Sequence, residues 1–195
     1  MATLTGKHTL AQMLIAEGVE YIFGNPGTSE TPLLDVLQDY PQLKYIQALQ
    51  EGTAVGMADG YARATGRPAF ANIHIAGGLA NGISGLYNAF RGGTPLVLTA
   101  GNSDTRMMLH EPTLSGNLVE MTSQFTKWSA EVLHPSDLPV AVRRAFKEAK
   151  TPPQGPVFLS FPWDTMDDTS DVEIAGSSPG FFRTRPDTAA IEQAS

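Results

Sequence analysis

Along the chain, short apolar runs alternate with longer stretches in which apolar side chains recur every three or four positions. The runs at residues 21–23, 44–48, 69–74, 95–100, 127–132 and 157–161 have the length and the aromatic or β-branched content of buried strands. Between them the helical period predicts helices over residues 7–17, 51–66, 79–90 and 138–150. In the first, Leu10, Met13 and Leu14 share a face and Gly18 is the stop. A further helix follows the turn Asn25-Pro26-Gly27, with Thr28 or Ser29 as its cap, Pro32 in its first turn and Leu33, Leu34 and Leu37 inward. Repeated about six times, this alternation predicts an α/β fold: a doubly wound, about six-stranded, mainly parallel sheet with helices on both faces.

Two regions lack a clear period. Residues 101–124 mix turn residues with a short apolar patch and read as loop with one or two short helices. Residues 164–180 are acidic and rich in Ser, Thr and Gly, the composition of a linker, and Thr184-Arg185-Pro186-Asp187 then starts a capped helix close to Ser195. The expected organisation is one domain over 1–165, then a linker and the start of a following domain over 166–195, as in a chain cut from something longer.

Composition narrows the function. With 195 residues, 42% hydrophobic and 17% charged, the chain suits one globular α/β domain. Net charge is −7 with scattered Lys and Arg, which argues against a nucleic-acid partner. No apolar run approaches a membrane span, and the absence of cysteine removes thiolate chemistry and fits a reducing, cytoplasmic setting.

Ligands in such a sheet gather beyond the carboxyl ends of the strands. Three polar sites fall there: Asn25 to Ser29, Glu51 at a strand-to-helix junction, and His74 with Gly77 and Gly78 after it. Each has an ordinary reading alone: a turn, a carboxylate meeting a helix dipole, a satisfied histidine, close packing. Two familiar motifs fail. Residues 77–82 have phosphate-loop spacing, but Ile83-Ser84 stands where Lys and a hydroxyl are needed, and Ser84 lacks the surroundings of a hydrolase nucleophile.

Taken together, Phe23-Gly24-Asn25-Pro26-Gly27, Gln50-Glu51-Gly52, Ala58-Asp59-Gly60-Tyr61-Ala62-Arg63-Ala64-Thr65-Gly66, Asn72-Ile73-His74 and Gly77-Gly78 closely resemble the N-terminal pyrimidine-binding (PYR) domain of thiamine-diphosphate enzymes. The likeness is greatest to benzoylformate decarboxylases, then acetolactate synthases. It runs in unbroken order over about residues 3–165, through Thr99-Ala100-Gly101, Lys127-Trp128-Ser129 and Pro153-Gln154-Gly155-Pro156-Val157.

The resemblance implies the thiamine-diphosphate-binding fold and a set of roles. Glu51 falls on the glutamate that hydrogen-bonds N1′ of the aminopyrimidine and so helps the cofactor lose its C2 proton; burial should raise its pKa. Pro26 and Asn81 match positions beside the cofactor, and His74 matches an active-site histidine that handles protons. Thr28 stands where a serine meets the carboxylate of a small 2-keto acid, so a hydroxyl survives there with an added methyl. Mg²⁺ and the diphosphate are held in the family by a separate PP domain of another subunit, whose GDG motif is missing here. Ala58-Asp59-Gly60 imitates that motif inside a helix and is a decoy. The chain thus reads as half the site of a homo-oligomeric 2-keto-acid decarboxylase or carboligase, inactive by itself, with Gly52, Ala54, Gly56 and Ala58 suited to close contact between PYR domains. The alternatives are an acetolactate-synthase-like carboligase, a natural PYR subunit of a two-subunit decarboxylase, or a non-catalytic α/β binding module.

Overall fold

The strands pair in an order that explains their composition. The structure, a computed structural model, describes residues 2–178, 180 and 185–194. It runs β1 (Ala2–Thr5), α1 (Gly6–Ala16), β2 (Tyr21–Asn25), α2 (Thr31–Val36), β3 (Lys44–Gln47), α3 (Glu51–Thr65), β4 (Ala69–Ile73), α4 (Ala76–Gly92), β5 (Leu96–Asn102), α5 (Leu118–Thr122), β6 (Ser129–Glu131), α6 (Leu138–Lys150), β7 (Val157–Pro162), α7 (Trp163–Asp167), β8 (Thr169–Val172) and α8 (Thr188–Ala194). Six strands form one sheet in the order β3-β2-β4-β5-β7-β6, every neighbouring pair parallel.

Successive residues of the central strands feed opposite cores. Ile22, Phe70, Val97 and Leu159 pack with α1 and α6 on one face, while Phe23, Ala71, Leu98 and Phe158 pack with α3 and α4 on the other. Strands covered on both sides need no polar face, so they appear in the sequence as largely apolar runs, with Asn72, Thr99 and Ser160 as buried polar members. Phe146 of α6 is wholly buried in the first cluster, a contribution of about 1.5–3 kcal/mol for a side chain of its size. In the second cluster α4 lies close to α3 and the sheet because its facing positions are glycines. A Cβ on Gly82 would come within 2.8 Å of Ile73 Cδ1, and one on Gly85 within 2.8 Å of Val55 Cγ1. Gly66 and Gly93 end the two helices at φ of 68° and 65°, the left-handed region that glycine enters without strain.

Several expectations change. α4 starts at Ala76, three residues earlier than its apolar period suggests. In α2 the inward residues are Pro32, Leu33 and Val36, whereas Leu34 and Leu37 are half-buried. Neither Thr28 nor Ser29 caps that region; the Glu30 carboxylate accepts from Gly27 N at 2.8 Å instead. The stretch with linker composition is folded onto the domain for most of its length. Asp164, Thr165 and Met166 are buried in α7, and β8 pairs antiparallel with β1, Ala2 opposite Val172 and Thr5 opposite Thr169. Ser177 N reaches Glu17 Oε1 at 2.7 Å. The late helix is present as the exposed α8, capped by Asp187, whose Oδ1 accepts from Ala189 N at 3.0 Å. Thr184 lies outside the described residues.

Candidate active site

Glu51 opens α3 directly beyond the sheet's carboxyl edge, with Gln50 as the helix cap accepting from Thr53 N at 2.9 Å. A carboxylate in this first turn meets the positive end of the helix dipole. Its side chain turns towards α4 and β2. Asn81, one turn into α4, donates through Nδ2 to Oε2 at 3.0 Å, and Asn25, the last residue of β2, donates through Nδ2 to Oε1 at 2.9 Å. Room for the carboxylate comes from Gly78, where a Cβ would lie 2.8 Å from Oε1.

Glu51 is 8% exposed, as expected of a buried site. Its pKa, however, is lowered rather than raised. Burial pushes it up and is the largest single influence, but hydrogen bonds from Asn81, from its own backbone N–H and from Asn25, together with nearby His74, outweigh burial and favour the ionised form.

His74 follows β4 and belongs to a second cluster. Its Nδ1 lies 2.8 Å from Glu30 Oε2 and 3.2 Å from Ser29 Oγ, and the side chain is 25% exposed. Gly27 lies against the ring: a Cβ there would stand 2.2 Å from Nδ1. Glu30 is a site residue that the sequence motifs do not single out. The only local signal is its spacing, three residues after Gly27, which is that of a capping carboxylate. Thr28 is exposed at the mouth of a cavity of about 330 Å³, lined also by Ser29, Asn102, Met107, Leu114 and Trp163.

The fold therefore joins Glu51 and Asn81 directly, with Asn25 on the other carboxylate oxygen, and brings His74 to the same edge beside Ser29 and Glu30. Pro26 is half-buried between the two clusters along the chain, and Thr28 makes no hydrogen bond to either. Asp59 of the decoy motif is inside α3 and pairs with Arg63 at 2.9 Å. Among the described residues no group of three or more His, Cys, Asp or Glu side chains could hold a metal ion.

Residues 4–123 match the family described as thiamine pyrophosphate enzyme, N-terminal TPP binding domain. The chain belongs to this family. It is 42% identical over 155 residues to a benzoylformate decarboxylase of Pseudomonas aeruginosa, covering 78% of this chain and 29% of that protein. It is 31% identical over 166 residues to the acetolactate synthase large subunit of Haemophilus influenzae, covering 85% of this chain and 29% of the other. The crystal structure of a benzoylformate decarboxylase from Polynucleobacter necessarius superposes with a TM-score of 0.89 at 34% identity, over 97% of this chain and 35% of that one. The TPP-binding domain described here thus spans less than a third of the length of these curated relatives.

The residues at the edge suit part of thiamine pyrophosphate (thiamine diphosphate). Each oxygen of Glu51 takes one amide donor and keeps acceptor capacity, and the missing side chain of Gly78 lets the carboxylate lie against α4. That is a fitting partner for a flat ring that presents nitrogen.

Proposed function

We propose that this chain supplies the pyrimidine-binding half of the active site in a thiamine-diphosphate-dependent 2-keto-acid decarboxylase of the benzoylformate type. The observation that carries this reading is the buried Glu51 carboxylate, oriented by Asn25 and Asn81 at the sheet's carboxyl edge. When bound, the cofactor supplies the carbon nucleophile and the electron sink for loss of CO2. Glu51 would bind and orient the aminopyrimidine at N1′ and share a proton there. Asn81 keeps the carboxylate in place, and Pro26 would lie beside the ring. His74 exchanges protons with the substrate, and the Thr28 hydroxyl meets its carboxylate. The cavity beside Thr28, with Met107, Leu114 and Trp163 in its walls, suits an apolar 2-keto-acid side chain.

Diphosphate and Mg²⁺ are assigned to the PP domain of another subunit in a homo-oligomer, and the enzyme to the cytoplasm. Among the described residues no helix is long and apolar enough to cross a membrane. We place the domain boundary beyond Ser177, since residues as far as that pack on α1. A carboligase of the acetolactate-synthase type is the second reading, favoured by the 31% identity to such an enzyme, while His74 favours decarboxylation.

The test is Glu51→Gln in the full-length enzyme. General acid–base assistance is worth about 10²- to 10⁴-fold, so C2–H/D exchange of bound thiamine diphosphate should slow by that order while the fold survives. Equal exchange rates would remove Glu51 from the chemistry. The chain alone should release no CO2 from 2-keto acids, and mixing it with a matching PP-domain protein should restore release.

A further inference from the structure

Glu30 is a carboxylate with no solvent access to its side chain, and it is surrounded by donors. Gly101 N–H at 2.7 Å and the Ser29 hydroxyl at 2.9 Å reach Oε1; Gly27 N–H at 2.8 Å reaches Oε2, where His74 Nδ1 also lies at 2.8 Å. Backbone N–H groups only donate, so each oxygen accepts at least one hydrogen bond, and with the Ser29 hydroxyl three donors already converge on the carboxylate. The His74 contact extends this pattern when its proton sits on Nδ1 and Oε2 accepts a second time. Ser29 Oγ, 3.2 Å from the same nitrogen, spends its own proton on Glu30 and adds only a second acceptor. Ring reversal would put a carbon in place of Nδ1 against the Glu30 carboxylate and lose the 2.8 Å contact. Nε2 then has no hydrogen-bond partner among the described residues.

We infer that Glu30 is a positioning residue that fixes neutral His74 as its Nδ1–H tautomer, so that His74 gives and takes protons through Nε2 alone. The Nδ1 proton stays on the ring throughout. The functional half of this inference rests on the reading of His74 as the proton-handling group; the tautomer itself does not. The logic is that of a carboxylate behind a catalytic imidazole, where the wrong tautomer leaves geometry intact and costs activity. A purely structural Glu30, tying the Gly27 turn to β5, would hold the loops and leave the tautomer to chance.

The two roles separate in the ring-nitrogen NMR spectrum of the isotope-labelled chain, with the His74 signals assigned by His74→Gln. In the wild type, neutral His74 should show a protonated Nδ1 and a bare Nε2. Glu30→Gln presents an amide that can donate or accept, so the population should move towards the Nε2–H form, and Glu30→Asp should retain the wild-type form to a measurable extent. A wild-type ring protonated at Nε2, or a Glu30→Gln spectrum identical to wild type, would overturn the inference. If Glu30→Gln does not fold, the wild-type tautomer decides alone. In the assembled enzyme Glu30→Gln should lower kcat by about 10²-fold or more with KM little changed, compared with the roughly 10⁴-fold loss where a catalytic histidine is left in the wrong tautomer. Should His74→Ala leave turnover intact while the Nδ1–H form is observed, the role given to His74 fails and the tautomer assignment stands.

Discussion

Glu51 lies where burial and amide donors oppose each other, and the donors decide its charge. Because its folded pKa is lowered, its ionised form stabilises the fold at pH above the free carboxyl value of about 4.3. That stability is lost as pH falls through the lower folded value. Glu51→Gln replaces one acceptor oxygen by an NH2 facing an asparagine NH2, a loss of about 1 kcal/mol for a hydrogen bond. In urea unfolding at a series of pH values, the wild type's margin over Glu51→Gln should be full near neutrality and shrink on acidification. A margin that grows towards acid would contradict the charge assignment. The motif containing Glu51 is visible in the sequence, but its charge is not. Position alone suggests burial, whereas the two amides that reverse its effect come from residues 26 positions before and 30 after it. Glu30 is hidden for a similar reason, since Gly101 and His74 join it only in the folded sheet.

At the scale of elements, glycines on α3 and α4 differ in what surrounds them. Gly60, mid-way along α3, has open space around a Cβ, so Gly60→Ala should stabilise the chain by about 0.5–1 kcal/mol through lower chain entropy in the unfolded state. The same change at Gly78 places a methyl 2.8 Å from Glu51 Oε1 and 3.0 Å from its Cγ, and that side chain is held at both oxygens. Gly78→Ala should therefore be no more stable than wild type in thermal melts; equal gains at both sites would show that Glu51 is free to move. Helices are the most legible elements. α6 runs over the stretch predicted, Leu138–Lys150, because its apolar period is local information. β1 and β8 are illegible in the sequence because neither has an apolar run and their contact, such as Thr3 with Asp171, spans 168 positions.

For the whole molecule, Ala54 and Ala58 correct one expectation: both are fully buried under the sheet and unavailable to another subunit. On the outer side of α3 stand Gly56 and Gly60, exposed and with open space around each. If two PYR domains meet there, Gly56→Arg should leave the melting temperature near wild type and abolish the dimer seen by light scattering. A wild-type chain that scatters as a monomer at high concentration would rule out this face.

The β1–β8 ribbon has a mechanical consequence. Ala2 and Val172 face each other at the end of four paired rungs, and the backbone beyond Val172 stays on the domain, with Arg143 Nε donating to Ala175 O at 2.9 Å and Ser177 N to Glu17 Oε1 at 2.7 Å. Tension between those two points meets the ladder end-on, and its rungs open in succession instead of shearing together. The parallel sheet behind it, whose strands are covered by helices on both sides, is loaded only after the last rung has opened. Strain arriving from the far side of Ser177 thus meets the contacts of residues 173–177 first and the ribbon second, ahead of the edge carrying Glu51 and His74.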